Sequence, residues 1–408
     1  MMMTLRGPRL MGLSLVFVAA MMLGLPTAVP AADKNEIVIG ATLPLTGMLS
    51  MMGAEQKWAY EQAAADINAE GGIYVKEYDK KLPVKLIVAD NETDAGKAVA
   101  AIERLVKVDK VDFLLSDSTL PLVMPTAVAA EKWKVYYHAT ICLLPPWQEQ
   151  KFKWSTDYFF DGAQATAVPF EVLDTIPEAD RPKKLALLAE DSTDGRILGP
   201  IFKEAGKQYG YEFDYEEPVA VGSKDYSSQI LKLKSKGIDG AILFAGSGDC
   251  VTFVRQMKEV GLNLKYLHGY KGTWGTEFWN ALGQDAEYIL ADGFWSETYP
   301  YPRAEEIGER YYQNFNKRSV SIGLFYALCQ TLFQAIEAAG TLDGAKVREA
   351  VLTTEFKGTV MGDIKYNPDG TAVFPLAAFQ WQEGLLRRVY PFVEGASPVL
   401  IAPPWDKR

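Results

Sequence analysis

Histidine and cysteine are scarce: His138 and His268 are the only histidines, and Cys142, Cys250 and Cys329 the only cysteines, in 408 residues. Three cysteines far apart in sequence write no disulfide framework. They read as buried small hydrophobes, with one bridge left open in an oxidising compartment. The histidines stand at strand ends without an HExxH, a CxxC or a carboxylate cluster beside them, so the spacing gives no basis for a metal site. Equally missing are a GxGxxG turn, a Walker lysine loop and a GxSxG elbow, and "GSGDC" at Gly246 to Cys250 is too short a pattern to weigh. No cofactor and no catalytic nucleophile is therefore expected. Basic excess is lacking too: 42 Lys and Arg against 52 Asp and Glu give a net charge of −10, which argues against a nucleic-acid partner.

Long apolar runs are confined to the N-terminus, where Arg6 and Arg9 precede the run Leu10 to Leu25. That run falls short of the ~20 residues that span a bilayer. With small residues following at Ala31 and Ala32, the expectation is a leader over 1–32, cleaved after Ala31 or Ala32. No cysteine sits there to take a lipid, so a free, exported chain without membrane insertion of its own is expected.

From Ile37 onward, short apolar strands alternate with helical periodicity. "EIVIGATLPL", "PVKLIVAD", "VDFLLS" and "VYYHAT" read as strands, and the helices between them show one apolar face, such as Ala98, Ile102 and Leu105. After an aromatic segment the pattern restarts at "KKLALLAE" and continues through "DGAILFAG" and "LKYLH". This is the pattern of two α/β domains with doubly wound parallel sheets. Beyond Ile289 come further helices and then "FKGTVMGDIKYNPDG" and "LAAFQWQEGLLRRVYPF", which have hairpin composition.

Ligands of open parallel sheets lie at the carboxyl ends of the strands, so the loops there hold the candidate site. These are "LPLTGMLSMMG", "SDSTLPL", "HATICLLPPW", "EDSTDG" and "HGYKGTWG". In "SDSTLPL", Ser118 and Thr119 fall where a helix begins, which suits capping or anion binding. Trp147, Trp154, Tyr270, Trp274 and Trp279, with Met48, Met51 and Met52, suit either core packing or an apolar ligand pocket.

The stretches "IGATLPLTGMLSMMG", "AAADINAEGGI", "AEDSTDGRILGPIFKEAGKQYGYE", "DYSSQILKLKSKGIDGAILFAG" and "FKGTVMGDIKYNPDG", in that order, resemble the periplasmic leucine/isoleucine/valine-binding protein family of ABC importers. The resemblance implies two doubly wound α/β lobes joined by three crossovers, near Phe160, Gly293 and Lys357. One lobe would hold 33–160 and 293–357, with the helix around Leu324 returning to it, and the other 161–292 and 358–408. It implies a periplasmic receptor, not an enzyme, that closes on a small molecule and delivers it to permease subunits. A ligand-sensing ectodomain stays open as an alternative.

Carried over by position, Ser118, Thr119, Ala139 and Thr140 match the family's cradle for a ligand carboxylate. Met52 stands where amino-acid binders often carry an aromatic, and Asp194 where many carry a tyrosine. Ser247, after "DGAILFAG", completes the candidate set. Lys271 stands where the family's amino-acid binders place a carboxylate against the ligand ammonium. Repulsion there points to a carboxylate-bearing, apolar or aromatic ligand. A salt bridge from Lys271 to Asp194, or a one-residue slip that puts Tyr270 in the pocket and restores an ordinary zwitterionic ligand, is the competing expectation.

Overall fold

The computed structural model describes residues 34–408, and the expected leader over 1–32 lies outside the described residues. The first half runs β1 (Ile37–Leu43), α1 (Ser50–Ala69), β2 (Ile73–Val75), β3 (Lys80–Leu82), β4 (Val84–Asp90), α2 (Ala95–Lys107), β5 (Phe113–Leu115), α3 (Leu120–Trp133), β6 (Tyr136–Thr140), α4 (Leu144–Gln150) and β7 (Ser155–Tyr158). Then follow α5 (Gly162–Thr175), β8 (Leu185–Ala189), α6 (Thr193–Gln208), β9 (Phe213–Glu216), α7 (Ser227–Lys236), β10 (Gly240–Phe244), α8 (Ser247–Val260), β11 (Tyr266–Gly269), α9 (Thr276–Leu282) and β12 (Leu290–Gly293). The chain ends with α10 (Ala304–Phe315), α11 (Ile322–Ala339), α12 (Gly344–Thr353), β13 (Glu355–Thr359), β14 (Gly362–Lys365), β15 (Thr371–Ala372), β16 (Ala377–Gln382) and β17 (Leu385–Tyr390).

Two large sheets result, ordered β15-β7-β6-β5-β1-β4 and β17-β16-β12-β11-β10-β8-β9. All pairs of the first are parallel, while β16 joins both β12 and β17 antiparallel at the edge of the second. Strand order reverses between β1 and β5 in one sheet and between β8 and β10 in the other. Loops diverge there and leave a crevice at each switch point.

Alternation along the strands sends side chains to opposite layers. Phe113 and Tyr136 join the core under α1 and α11, whereas Leu114 and Tyr137 join the one under α2 and α3. In the second sheet Leu187, Ile242 and Tyr266 face α5 and α6, and Ala186, Leu243 and Leu267 face α7 and α8. The apolar helix α11 is almost entirely buried and packs on α1 and α12.

The chain passes between the sheets after β7, after β12 and between β15 and β16. Each passage carries phenylalanine. Phe159 lies 5.3 Å from Phe294 and 5.9 Å from Phe374, and Phe160 lies 6.2 Å from Phe294. One aromatic cluster thus binds the three passages together. The third passage departs from the expectation at Lys357: Thr371 and Ala372 pair with Asp157 and Tyr158 of the first sheet, so the chain leaves that sheet only after Ala372. Cys142, Cys250 and Cys329 are free thiols, all buried.

Candidate functional site

The first wall is built where β1, β5 and β6 end. Gly53 in α1 lies so close to the Pro44 carbonyl that a Cβ would stand 2.3 Å from its oxygen, which fixes how α1 leaves the β1 loop. One turn on, the buried Gln56 donates from Nε2 to the carbonyls of Ser116 (2.9 Å) and Asp117 (3.1 Å). The Ser118 hydroxyl donates to Gln56 Oε1. Ser116 in turn accepts from Thr140 N at 3.0 Å, and the Thr140 hydroxyl donates to Tyr158 O at 2.6 Å. The two hydroxyl loops are therefore stitched to one another and to α1.

Ser118 does not cap α3, contrary to the capping reading. Thr119 is the N-cap and makes no side-chain capping bond. Thr119 has φ +66° and Ile141, just after Thr140, φ +58°. Left-handed backbone is unfavourable for β-branched residues, and two such residues at neighbouring strand ends mark a strained, over-determined loop pair. In the first turn of α3 Pro121 has no N–H and Leu122 N donates to Thr119 O at 3.0 Å, which leaves Leu120 N as the first-turn donor without an intrahelical acceptor. Beneath it, burial pushes the Asp117 pKa up to about 8, against opposing bonds from Ser118 N and Asn91.

The second wall is built where β8 and β11 end. Glu190 is nearly buried, and its Oε1 receives the Lys271 ammonium and the Ser192 hydroxyl, each at 2.6 Å. Ser192 also caps α6 by accepting from Gly195 N at 3.1 Å. A Cβ at Gly195 would lie 1.9 Å from the Glu190 carbonyl oxygen, so only glycine lets the cap and the carboxylate coexist. Lys271 reaches Asp194 at 3.5 Å and lies 4.9 Å over the Phe244 ring. The expected bridge to Asp194 is present, but Glu190, which sequence reasoning did not single out, is the closer partner. Lys271 is thus neutralised within its own wall.

Met52 is half-buried at the rim of a cavity of about 290 Å³, lined also by Glu55, Trp274, Tyr311, Phe315 and Ser321. This cavity joins α1 of the first half to the loop after β11 of the second. Trp274 touches Phe294 of the crossing cluster at 5.1 Å. A wider hollow of about 480 Å³ lies beside Leu185 and Asp214, near the starts of β8 and β9, at the opposite end of that sheet from the strand-end loops.

Three expected residues are placed elsewhere. Tyr270 is core: its hydroxyl donates to Ala165 O at 3.0 Å and its ring packs on Phe202 and Phe244. Ala139 is buried within β6, opposite Asp157 of β7. Ser247 is exposed at the first residue of α8. Gly269 and Gly272 accommodate Thr273, the Ala245 carbonyl and Cys250. Both histidines are buried; His138 bonds Thr331 at 2.8 Å, His268 bonds Tyr266 at 2.8 Å, and burial pushes each pKa down to about 3.

A sequence profile described as "Periplasmic binding protein" matches residues 36–385. A Leu/Ile/Val-binding protein homologue of Brucella melitensis is 27% identical over 361 residues, covering 87% of this chain and 94% of its own. Another, from Brucella abortus, is 23% identical over 86% of this chain and 91% of its own. The branched-chain amino acid transporter substrate-binding protein LivJ of Streptococcus pneumoniae, solved with isoleucine, has the same fold, with TM-score 0.74, 19% identity, and 86% and 98% of the two chains covered. A solute-binding protein of Rhodopseudomonas palustris, solved with 3,4-dihydroxybenzoic acid, has TM-score 0.71 and 20% identity over 86% and 95%. These relatives are solute-binding proteins rather than enzymes. The chain belongs to the periplasmic binding protein family.

Proposed function

We propose that the protein is the extracytoplasmic receptor of an ABC importer, exported by a leader cleaved after Ala31 or Ala32, and that it delivers a small carboxylate-bearing compound to permease subunits. The observation that carries this reading is the pair of strained loops at Thr119 and Ile141, side by side at the carboxyl ends of the neighbouring strands β5 and β6. Thr119, the Leu120 N–H at the start of α3 and the Thr140 loop form the anion cradle, with Ser118 holding the cradle to α1 through Gln56. Lobes dividing at the three aromatic-clad crossings close on the ligand by hinge motion. Isoleucine and dihydroxybenzoic acid, held by the two neighbours named above, share a carboxylate, which supports that part of the reading.

Met52, Trp274, Tyr311 and Phe315 supply the apolar surface for the ligand body, which fits an apolar or aromatic compound. Lys271 no longer argues against a ligand ammonium, because Glu190 and Asp194 outweigh its charge. A thermal-shift screen of amino acids, aromatic acids, dicarboxylates and neutral amides tests the proposal. Acids raise the melting temperature by binding the folded state alone, and amides do not. A panel in which no acid registers overturns it.

A further inference from the structure

Two carboxylates face the cavity of about 290 Å³ from opposite halves of the chain. Glu55 lies half-buried in the second turn of α1, and three hydroxyls donate to it: Ser321 at 2.5 Å, Ser319 at 2.9 Å and Tyr311 at 3.2 Å. These donors belong to α1's own side, because α10 packs on α1 through Tyr311 against Trp58 at 4.9 Å and Arg310 with Asp66 at 3.0 Å. The other side of the cavity is Trp274, Gly275, Thr276 and Glu277, where the chain enters α9 of the second half. Lys317 spans the joint to Glu277 at 3.5 Å, and Arg318 is held by Glu297 at 2.8 Å and Glu309 at 3.3 Å. Among the described residues no cation forms an ion pair with Glu55. The titratable and charged groups around it are therefore Tyr311 of α10, the engaged cations Lys317 and Arg318, and the Glu277 carboxylate of the other half. A carboxylate taken from water without a cation favours its neutral form. Burial raises the Glu55 pKa above its ordinary 4.5 against the three hydroxyl bonds, and Glu277 adds to the rise.

We propose that closure of the two halves takes up a proton at Glu55, which makes this joint a pH-sensitive latch. The proposal rests on the hinge-closing receptor reading and adds a regulation to it. When the halves part, Trp274 to Glu277 withdraw from α1, water reaches Glu55, and the three hydroxyls hold it as an anion. When they close, the anion loses that water and meets the like charge of Glu277. A proton taken from solvent onto a Glu55 carboxyl oxygen removes both costs, and the serine hydroxyls, which accept as well as donate, receive the new O–H. The closed state thus binds the proton more tightly than the open one. Closure is favoured fully as pH falls to the ordinary glutamate value near 4.5, and the advantage is lost as pH rises through the higher closed-state pKa.

Small-angle X-ray scattering of the ligand-free exported chain, from about pH 5 to about pH 8, tests it. The radius of gyration of the wild type grows with pH as the closed-to-open ratio falls by up to about tenfold per pH unit across the transition. Glu55→Gln keeps the shape and is neutral throughout, so it holds the smaller radius over the whole range. Glu277→Gln removes the facing carboxylate and frees Lys317, which shifts the transition to lower pH; it also carries the test if Glu55→Gln does not fold. Asp117 of the first wall, with its pKa of about 8, titrates alike in all three chains, so the differences between them isolate Glu55. A radius independent of pH in the wild type, the same pH dependence in wild type and Glu55→Gln, or an unmoved transition in Glu277→Gln overturns the latch and leaves the receptor reading intact. That reading fails separately, when no acid registers in the thermal-shift screen.

Discussion

Lys271→Met removes the ammonium from the second wall while keeping a flexible apolar stem over Phe244. Glu190 then retains only the Ser192 hydroxyl as a side-chain donor, and Asp194 faces it without the intervening cation. A hydrogen bond to a charged group contributes about 1.5–3 kcal/mol. Glu190 is 5% exposed, which favours the upper end, but Lys271 is 33% exposed, so water screens part of the loss. The expected coupling between the two side chains is about 1–2 kcal/mol after that discount. A double-mutant cycle of Lys271→Met and Glu190→Gln, read from urea unfolding midpoints, isolates it. Ligand affinity is expected to change little in either single variant. A coupling below about 0.5 kcal/mol, or unchanged stability with carboxylate binding abolished in Lys271→Met, refutes the reasoning and makes Lys271 a ligand contact.

Asp157 is fully buried, and neither carboxyl oxygen has a hydrogen-bond partner; burial pushes its pKa far above the usual value. The folded state therefore keeps a proton that the unfolded state releases above about pH 4, so this group's contribution falls as pH rises. Asp157→Asn should flatten the decline by up to about 1.4 kcal/mol per pH unit, measured as urea midpoints through neutral pH. Gly195→Ala forces a contact of 1.9 Å with the Glu190 carbonyl and should destabilise by about 1–3 kcal/mol or more, whereas Gly199→Ala, with an ordinary 3.8 Å neighbour, should be neutral or stabilising. Denaturation of both variants checks the contrast. Trp274→Phe should remove the change in tryptophan emission on ligand binding, because Trp274 both lines the cavity and touches the crossing cluster. A full-sized emission change in that variant contradicts this placement.

The alternation of strands and helices was legible because each element spans enough residues to show its period. The two-residue β15 was not, since nothing in Thr371–Ala372 carries periodicity and only pairing with Asp157 and Tyr158 makes it a strand. The loops of the site were legible from their place after strands. Their partners were not: Lys271 meets Glu190 across 81 positions, and Glu55 meets Ser321 across 266, distances that depend on strand order and helix docking. Tyr270 is a different case. Tyr266, His268 and Tyr270 alternate along "YLHGY", and that period already assigns Tyr270 to the same core-facing side as Tyr266. The capping reading of Ser118 failed because Gln56, buried in the second turn of α1, offers the hydroxyl a partner from a distant segment.

Carboxylate capture between the two halves is the central claim, and titration calorimetry of one acid found in the screen against its own primary amide tests it most directly. The wild-type chain should bind the acid in a one-to-one complex and the amide at least about tenfold more weakly, since only the anion completes the cradle at α3. Equal affinity for acid and amide would contradict the account.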